Sequence, residues 1–220
     1  MAIAFDNATG NQDSTSGTNH TVSFTVGTGL NRIMFVGICT FNSGGSNKVT
    51  GVTYAGVSMT QIGPVVAVQS NEHMTMWYLL NPTSGTNNIV ASFSSSQAFS
   101  WLAASAYSGV DQAVPEANSS GNGVGITETG TVTTLTNNAW AVMMGFNNGN
   151  SLAAGTATTL RDSSSFRMGA FDSGGAISPA GSTTLTYTGA NDTHGHVIVS
   201  IAPAGGAAAA KNPLFFGSGL

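Results

Sequence analysis

The chain has 220 residues and a formal net charge of −4, from five Lys and Arg against nine Asp and Glu. With charged residues at 6 %, there is no basic patch to neutralise nucleic-acid phosphates and no polybasic segment to hold an anionic membrane, so neither partner is expected. Ser, Thr, Asn and Gly fill most polar positions while good helix formers are scarce, which predicts an all-β fold. A chain of this length buries about 70 % of its extended surface, enough for a large core without disulfides or metal.

In chain order, alternating or short apolar runs bounded by Gly, Asn and Ser predict strands near residues 2–6, 20–26, 31–41, 49–54, 57–62, 64–69, 72–80, 87–93 and 98–107. More are expected near 124–133, 139–147, 156–161, 166–173, 182–187 and 195–202. Thr21–Val26 alternates, so one face is packed and one is wet. Ile33–Cys39 and His73–Leu80 are apolar on both faces, as in central strands. Tyr54-Ala55-Gly56, Tyr107-Ser108-Gly109 and Tyr187-Thr188-Gly189 each read as the end of a strand. Pro115–Gly130 reads as a long surface loop or hairpin tip.

Residues 204–220 differ from the rest. A Gly/Ala spacer leads to Lys211-Asn212-Pro213-Leu214-Phe215-Phe216, and the chain given ends at Leu220. Fully extended, this stretch reaches roughly 55 Å. The expected organisation is a β-sandwich domain over 1–203 and a C-terminal arm over 204–220. In the arm, Leu214, Phe215, Phe216 and Leu220 are the candidates for docking on a neighbouring subunit.

The runs Asn31-Arg32-Ile33-Met34-Phe35-Val36-Gly37, Val52–Thr60, Met76–Gly85 and Tyr107–Gln112, closed by Val197–Pro203, carry a resemblance. Together they resemble a broad group of β-sandwich domains in phage structural proteins (capsid decoration and tail-fibre proteins) and bacterial surface proteins. The resemblance implies a two-sheet, antiparallel, jelly-roll-like sandwich serving as a module on particles or cell surfaces. It implies no catalytic residues.

Several residues are of types that carry chemistry. His194 and His196 fall on one face of a strand, the spacing of a two-histidine metal site, with Asp192, His20 or His73 as possible third ligands. No metal-binding motif supports that reading, and a hydrogen-bonded histidine pair is the simpler one. Nine carboxylates are spread along the chain, mostly beside turn residues, where Asp caps its own backbone; Asp and Asn in loops leave calcium open. Cys39, the one cysteine, sits in an apolar strand and reads as a buried thiol. Trp77, Trp101 and Trp140 read as core, and Tyr54, Tyr107 and Tyr187 as better candidates for the rim of a sugar site.

The first six residues lack the basic start and apolar stretch of a signal peptide. The expectation is therefore a non-enzymatic virion structural protein, assembled in the host cytoplasm and displayed on the virion surface. It is most simply a capsid decoration or cement protein that binds the major capsid protein and forms a homo-oligomer. The alternative is a glycan-binding receptor-recognition module of a tail fibre or adhesin. No cofactor is expected.

Overall fold

A computed structural model of the chain describes residues 1–41 and 45–205. Among these there is no helix, and the elements are β1 (Ala4–Asp13), β2 (Gly17–Val26), β3 (Ile33–Phe41), β4 (Val49–Tyr54), β5 (Val57–Ser58), β6 (Thr60–Gln69), β7 (Glu72–Leu80) and β8 (Gly85–Gln97). They continue with β9 (Phe99–Ser108), β10 (Ala117–Thr133), β11 (Trp140–Asn147), β12 (Ala153–Ala154), β13 (Thr159–Asp162), β14 (Met168–Asp172) and β15 (Ser182–Ile201). Strand pairing is antiparallel throughout and forms three sheets, ordered β1-β9-β3-β7-β6, β10-β15-β11-β14-β13 and β2-β8-β4-β5; β12 adds to β15.

The first sheet is the middle layer, and the side-chain period of two explains why. Phe35, Cys39, Met74, Met76 and Trp101 point one way and pack on Trp140, Val142, Met144, Phe146 and Val199 of the six-stranded sheet. The intervening residues Met34, Val36, Ile38, Leu102 and Ala104 point the other way, onto Phe24, Val52, Tyr54 and Ile89 of the four-stranded sheet. Each fully buried side chain of this size contributes about 1.5–3 kcal/mol. The expected all-β antiparallel sandwich is present. It has a third sheet beyond the two expected, because strands apolar on both faces need a cover on each side.

The segment expected as a loop at 115–130 is corrected by the structure: from Ala117 it is strand β10, paired to β15. Its glycines are spent on close approach. Gly121 and Gly123 lie opposite His196 and His194, and a Cβ at either would meet the facing ring at 2.8 or 2.9 Å. The expected strand end at Tyr187-Thr188-Gly189 is also absent, since β15 runs through it. The two long strands bend together instead, where register shifts between Gly125 and Thr127.

Beyond that bend the β10–β15 pair folds back over its own sheet. Val132, Leu185 and Tyr187 pack on Met143, Phe171 and Ile198, making a third core. The Tyr187 ring occupies space that Gly145 leaves, and its hydroxyl donates to the Phe146 and Gly195 carbonyls at 2.8 and 2.9 Å. The other two Tyr-x-Gly sites do end strands: β4 stops at Tyr54 and β9 at Ser108.

Candidate functional site

Period two places His194 and His196 on the same face of β15, as the spacing predicts. The fold-back of β10 brings Glu128 onto them. His196 Nδ1 donates to Glu128 Oε1, and His194 Nδ1 stands 2.5 Å from Oε2. All three side chains are buried. The carboxylate takes the position between the imidazoles that a metal would need, and no trio of His, Cys, Asp or Glu among the described residues is arranged to hold an ion. Of the possible third ligands, His20 Nδ1 bonds the Ser100 hydroxyl at 2.8 Å, Asp192 accepts from the Thr193 amide at 2.7 Å, and His73 lies on β7 of the middle sheet. Burial pushes the His20 imidazole below its ordinary pKa, with Asp13 opposing. The clasp ties the folded-back hairpin to its sheet.

A second cluster closes one end of the core between the middle and six-stranded sheets. Asp172 is fully buried there and accepts from Arg161 Nε at 2.6 Å and from the Tyr107 hydroxyl at 2.9 Å. Its other oxygen accepts from the Gly174 amide at 2.8 Å. The Arg161 guanidinium lies over the Phe5 ring at 4.2 Å and near Trp140 at 5.9 Å. Burial, then the Asp172 charge, holds the Tyr107 phenol well above its ordinary pKa. Tyr54, Tyr107 and Tyr187 are all fully buried, so the expectation that they form a sugar rim is overturned. Their hydroxyls reach backbone or carboxylate acceptors inside the core.

The opposite end of the same interlayer core is open. A cleft of about 430 Å³ forms where β3, β7 and β9 of the middle sheet meet the loops flanking β11 and β14. Glu72 and Trp101 make its inner wall and are 1 % and 2 % exposed. The Arg167 guanidinium lies 5.0 Å over the Trp101 ring and donates to Asn148 and Asn150 side-chain oxygens at 2.6 and 3.0 Å. It stands 3.6 Å from Glu72 Oε1, beyond hydrogen-bond length. Phe99 stacks on Trp101 at 6.1 Å, and Phe166 projects at the mouth, 65 % exposed. Asn150 and Phe166 both hold left-handed backbone, with φ of 74° and 66°. Asn takes this conformation readily, whereas a bulky aromatic residue such as Phe166 is strained there.

Two buried polar atoms of this wall, Glu72 Oε2 and Trp101 Nε1, have no hydrogen-bond partner among the described residues. Desolvation raises the Glu72 carboxyl from about 4.5 to about 6, against the lowering effect of Arg167 and Gln69. Trp101 was read from sequence as core, and it is; its edge also lines the cleft. In the sequence Glu72 is one carboxylate among nine, and Arg167 and Phe166 belong to no recognisable motif. The available signal was a charged residue set directly against an apolar run, in Glu72-His73-Met74 and in Phe166-Arg167-Met168.

Cys39 is fully buried and burial, with the Glu72 charge, pushes its thiol up. The arm candidates Leu214, Phe215, Phe216 and Leu220 lie outside the described residues. The described chain stops at Gly205, beside a groove of about 580 Å³ walled by Ile3, Trp140 and Pro203. No protein-family model matches this chain, and no curated protein is detectably similar to it.

Proposed function

We propose that this chain is a non-enzymatic structural module of a virion surface, of the capsid decoration type, which self-associates and binds the major capsid protein. The observation that carries this reading is where its few charges go. Arg161 is spent on Asp172, Arg167 on two asparagines with Glu72 3.6 Å away, and Arg32 on the Gly29 and Pro82 carbonyls and the Asn81 side chain. Glu128 is spent on two histidines. Among the described residues the outer surface is mostly hydroxyls, amides and scattered exposed apolar residues such as Val114, Val124 and Ile126, with a few exposed carboxylates such as Asp6 and Asp111. Such a surface associates through many weak, uncharged contacts that salt does not screen. The apolar residues of the arm add to these contacts on a neighbouring copy.

Light scattering of the full chain tests this at several protein concentrations, in about 0.1 M and about 1 M salt. The expected result is a discrete oligomer of the same mass at both ionic strengths, reduced when residues 204–220 are deleted. A monomer at every concentration would overturn self-association.

A second reading, recognition of a glycan, is favoured by the open aromatic cleft. Of the described residues that line it, Glu72 is the one carboxylate. Glycoside hydrolysis uses two such groups across the bond, so the cleft favours holding a sugar over cleaving it.

A further inference from the structure

The geometry points to the Glu72–Trp101 cleft as a binding site for a neutral pyranose at the end of a glycan chain, seated between the Phe99 and Phe166 rings. The inference rests on the glycan-recognition reading and assigns it a place and a ligand class. Four observations carry it. The cleft's volume falls in the range of roughly 300–1,000 Å³ found for small-molecule sites. Two side chains of its wall, more than nine-tenths buried, carry an acceptor and a donor with no partner among the described residues, Glu72 Oε2 and Trp101 Nε1, each just beneath the cleft surface and closed to water. Buried polar atoms without partners are costly, so a ligand that supplies them gains what the free protein forgoes. Aromatic faces stand beside these atoms, with Phe166 held exposed by strained backbone.

The chemistry selects the ligand. A hydroxyl both donates and accepts, so one sugar hydroxyl donates to Glu72 Oε2 while accepting from Arg167, which stands 3.6 Å from Oε1 of the same carboxylate. A neighbouring hydroxyl accepts from the Trp101 indole N–H, and both contacts need a small shift of the side chains that cover these two atoms. The C–H face of a pyranose lies against the aromatic rings, as apolar faces do. An anionic ligand is disfavoured, because Arg167 is already opposed by Glu72 and the buried carboxylate repels a second negative charge. A purely apolar ligand leaves both orphan atoms unpaired.

The test uses the full chain. Neutral saccharides (glucose, galactose, mannose, N-acetylglucosamine and their short oligomers) and an acidic control, sialyllactose, are titrated while saturation-transfer NMR and tryptophan fluorescence are read. Glu72→Gln keeps the shape and removes the anionic acceptor; Phe166→Gly removes the ring and suits the left-handed backbone. Circular dichroism confirms that each variant folds. The expected result is saturable binding of at least one neutral sugar, weakened roughly tenfold or more by each variant. Binding unchanged in both variants would overturn this site while leaving glycan recognition standing. Binding of the acidic sugar alone would overturn the ligand class. No binding to any saccharide would overturn both the site and the reading on which it rests.

Discussion

At one end of the core between the middle and six-stranded sheets, Arg161 meets Asp172 at 2.6 Å, and Tyr107 and Gly174 also donate to the carboxylate, so both its oxygens are partnered. At the other end Arg167 stands 3.6 Å from Glu72, one oxygen of which has no partner among the described residues. Both arginines lie over aromatic rings, Arg161 over Phe5 and Trp140 and Arg167 over Trp101. The ingredients are alike, and the outcome differs in completeness. A closed network with both carboxylate oxygens partnered is a structural plug, since breaking it strands a buried charge. An open one leaves hydrogen-bonding capacity unused beside a cleft. The two ends therefore differ in what each side chain contributes to stability.

The largest expected effect comes from breaking the closed end. Asp172→Asn leaves Arg161 without its charge partner and turns an acceptor of the Tyr107 hydroxyl into a neutral amide. The loss is about 3–5 kcal/mol of unfolding free energy by urea denaturation, as for other buried pairs stripped of one member. Tyr107→Phe keeps the ion pair and removes one neutral donor, so its cost is smaller, about 1–2 kcal/mol. If Asp172→Asn costs less than 1 kcal/mol, the closed network is not what holds this end.

The same change at the open end has the opposite sign. The folded Glu72 carboxyl titrates near 6 and the unfolded one near 4.5, so between these values the native state binds the extra proton. Stability therefore falls as pH rises through that window and stays lower above it. Burial, with a smaller contribution from Asp192, raises the Glu72 pKa and outweighs the Arg167 charge and a Gln69 side-chain hydrogen bond, which lower it. Glu72→Gln removes the penalty. The variant is expected to exceed the native chain by on the order of 1 kcal/mol at pH 7, allowing for screening through the open cleft, and to match it below about pH 4.5. Paired urea titrations across that range check it; a variant less stable at neutral pH would mean that Glu72 supports the fold as Asp172 does.

The two ends also differ in how far the sequence foretold them. The strands themselves were readable, because Ile33–Cys39 and His73–Leu80 announce a layer covered on both faces. The clefts and plugs were not, because each joins segments far apart in the chain: Glu72 with Arg167, and Tyr107 with Asp172. The fold-back of β10 and β15 was hidden for a different reason. Gly121, Gly123 and Gly189 look like turn residues, yet two of them are seats for imidazole rings and the third lies beside the Asn147 side chain. Glycine serves close approach and turning alike, and only the partner strand decides which. The tyrosines misled similarly, since a phenol at a strand end serves a rim or spans to a buried acceptor.

The smallest expected effect is also the sharpest on the open end. Phe166 is mostly exposed and held at φ 66°. Left-handed backbone costs a non-glycine residue about 1–2 kcal/mol, whereas glycine adds about 0.5–1 kcal/mol of unfolded-state entropy. Little burial is lost with the ring, so Phe166→Gly should stabilise the fold by a few tenths of a kcal/mol to about 1 kcal/mol, read as a rise in the urea midpoint at unchanged slope. A residue whose removal strengthens the fold is not there for stability. Its ring then answers to the cleft, as strained residues at binding sites do. A clear loss of stability would make Phe166 a structural cap on Trp101, and the two ends would then differ only in how well they are built.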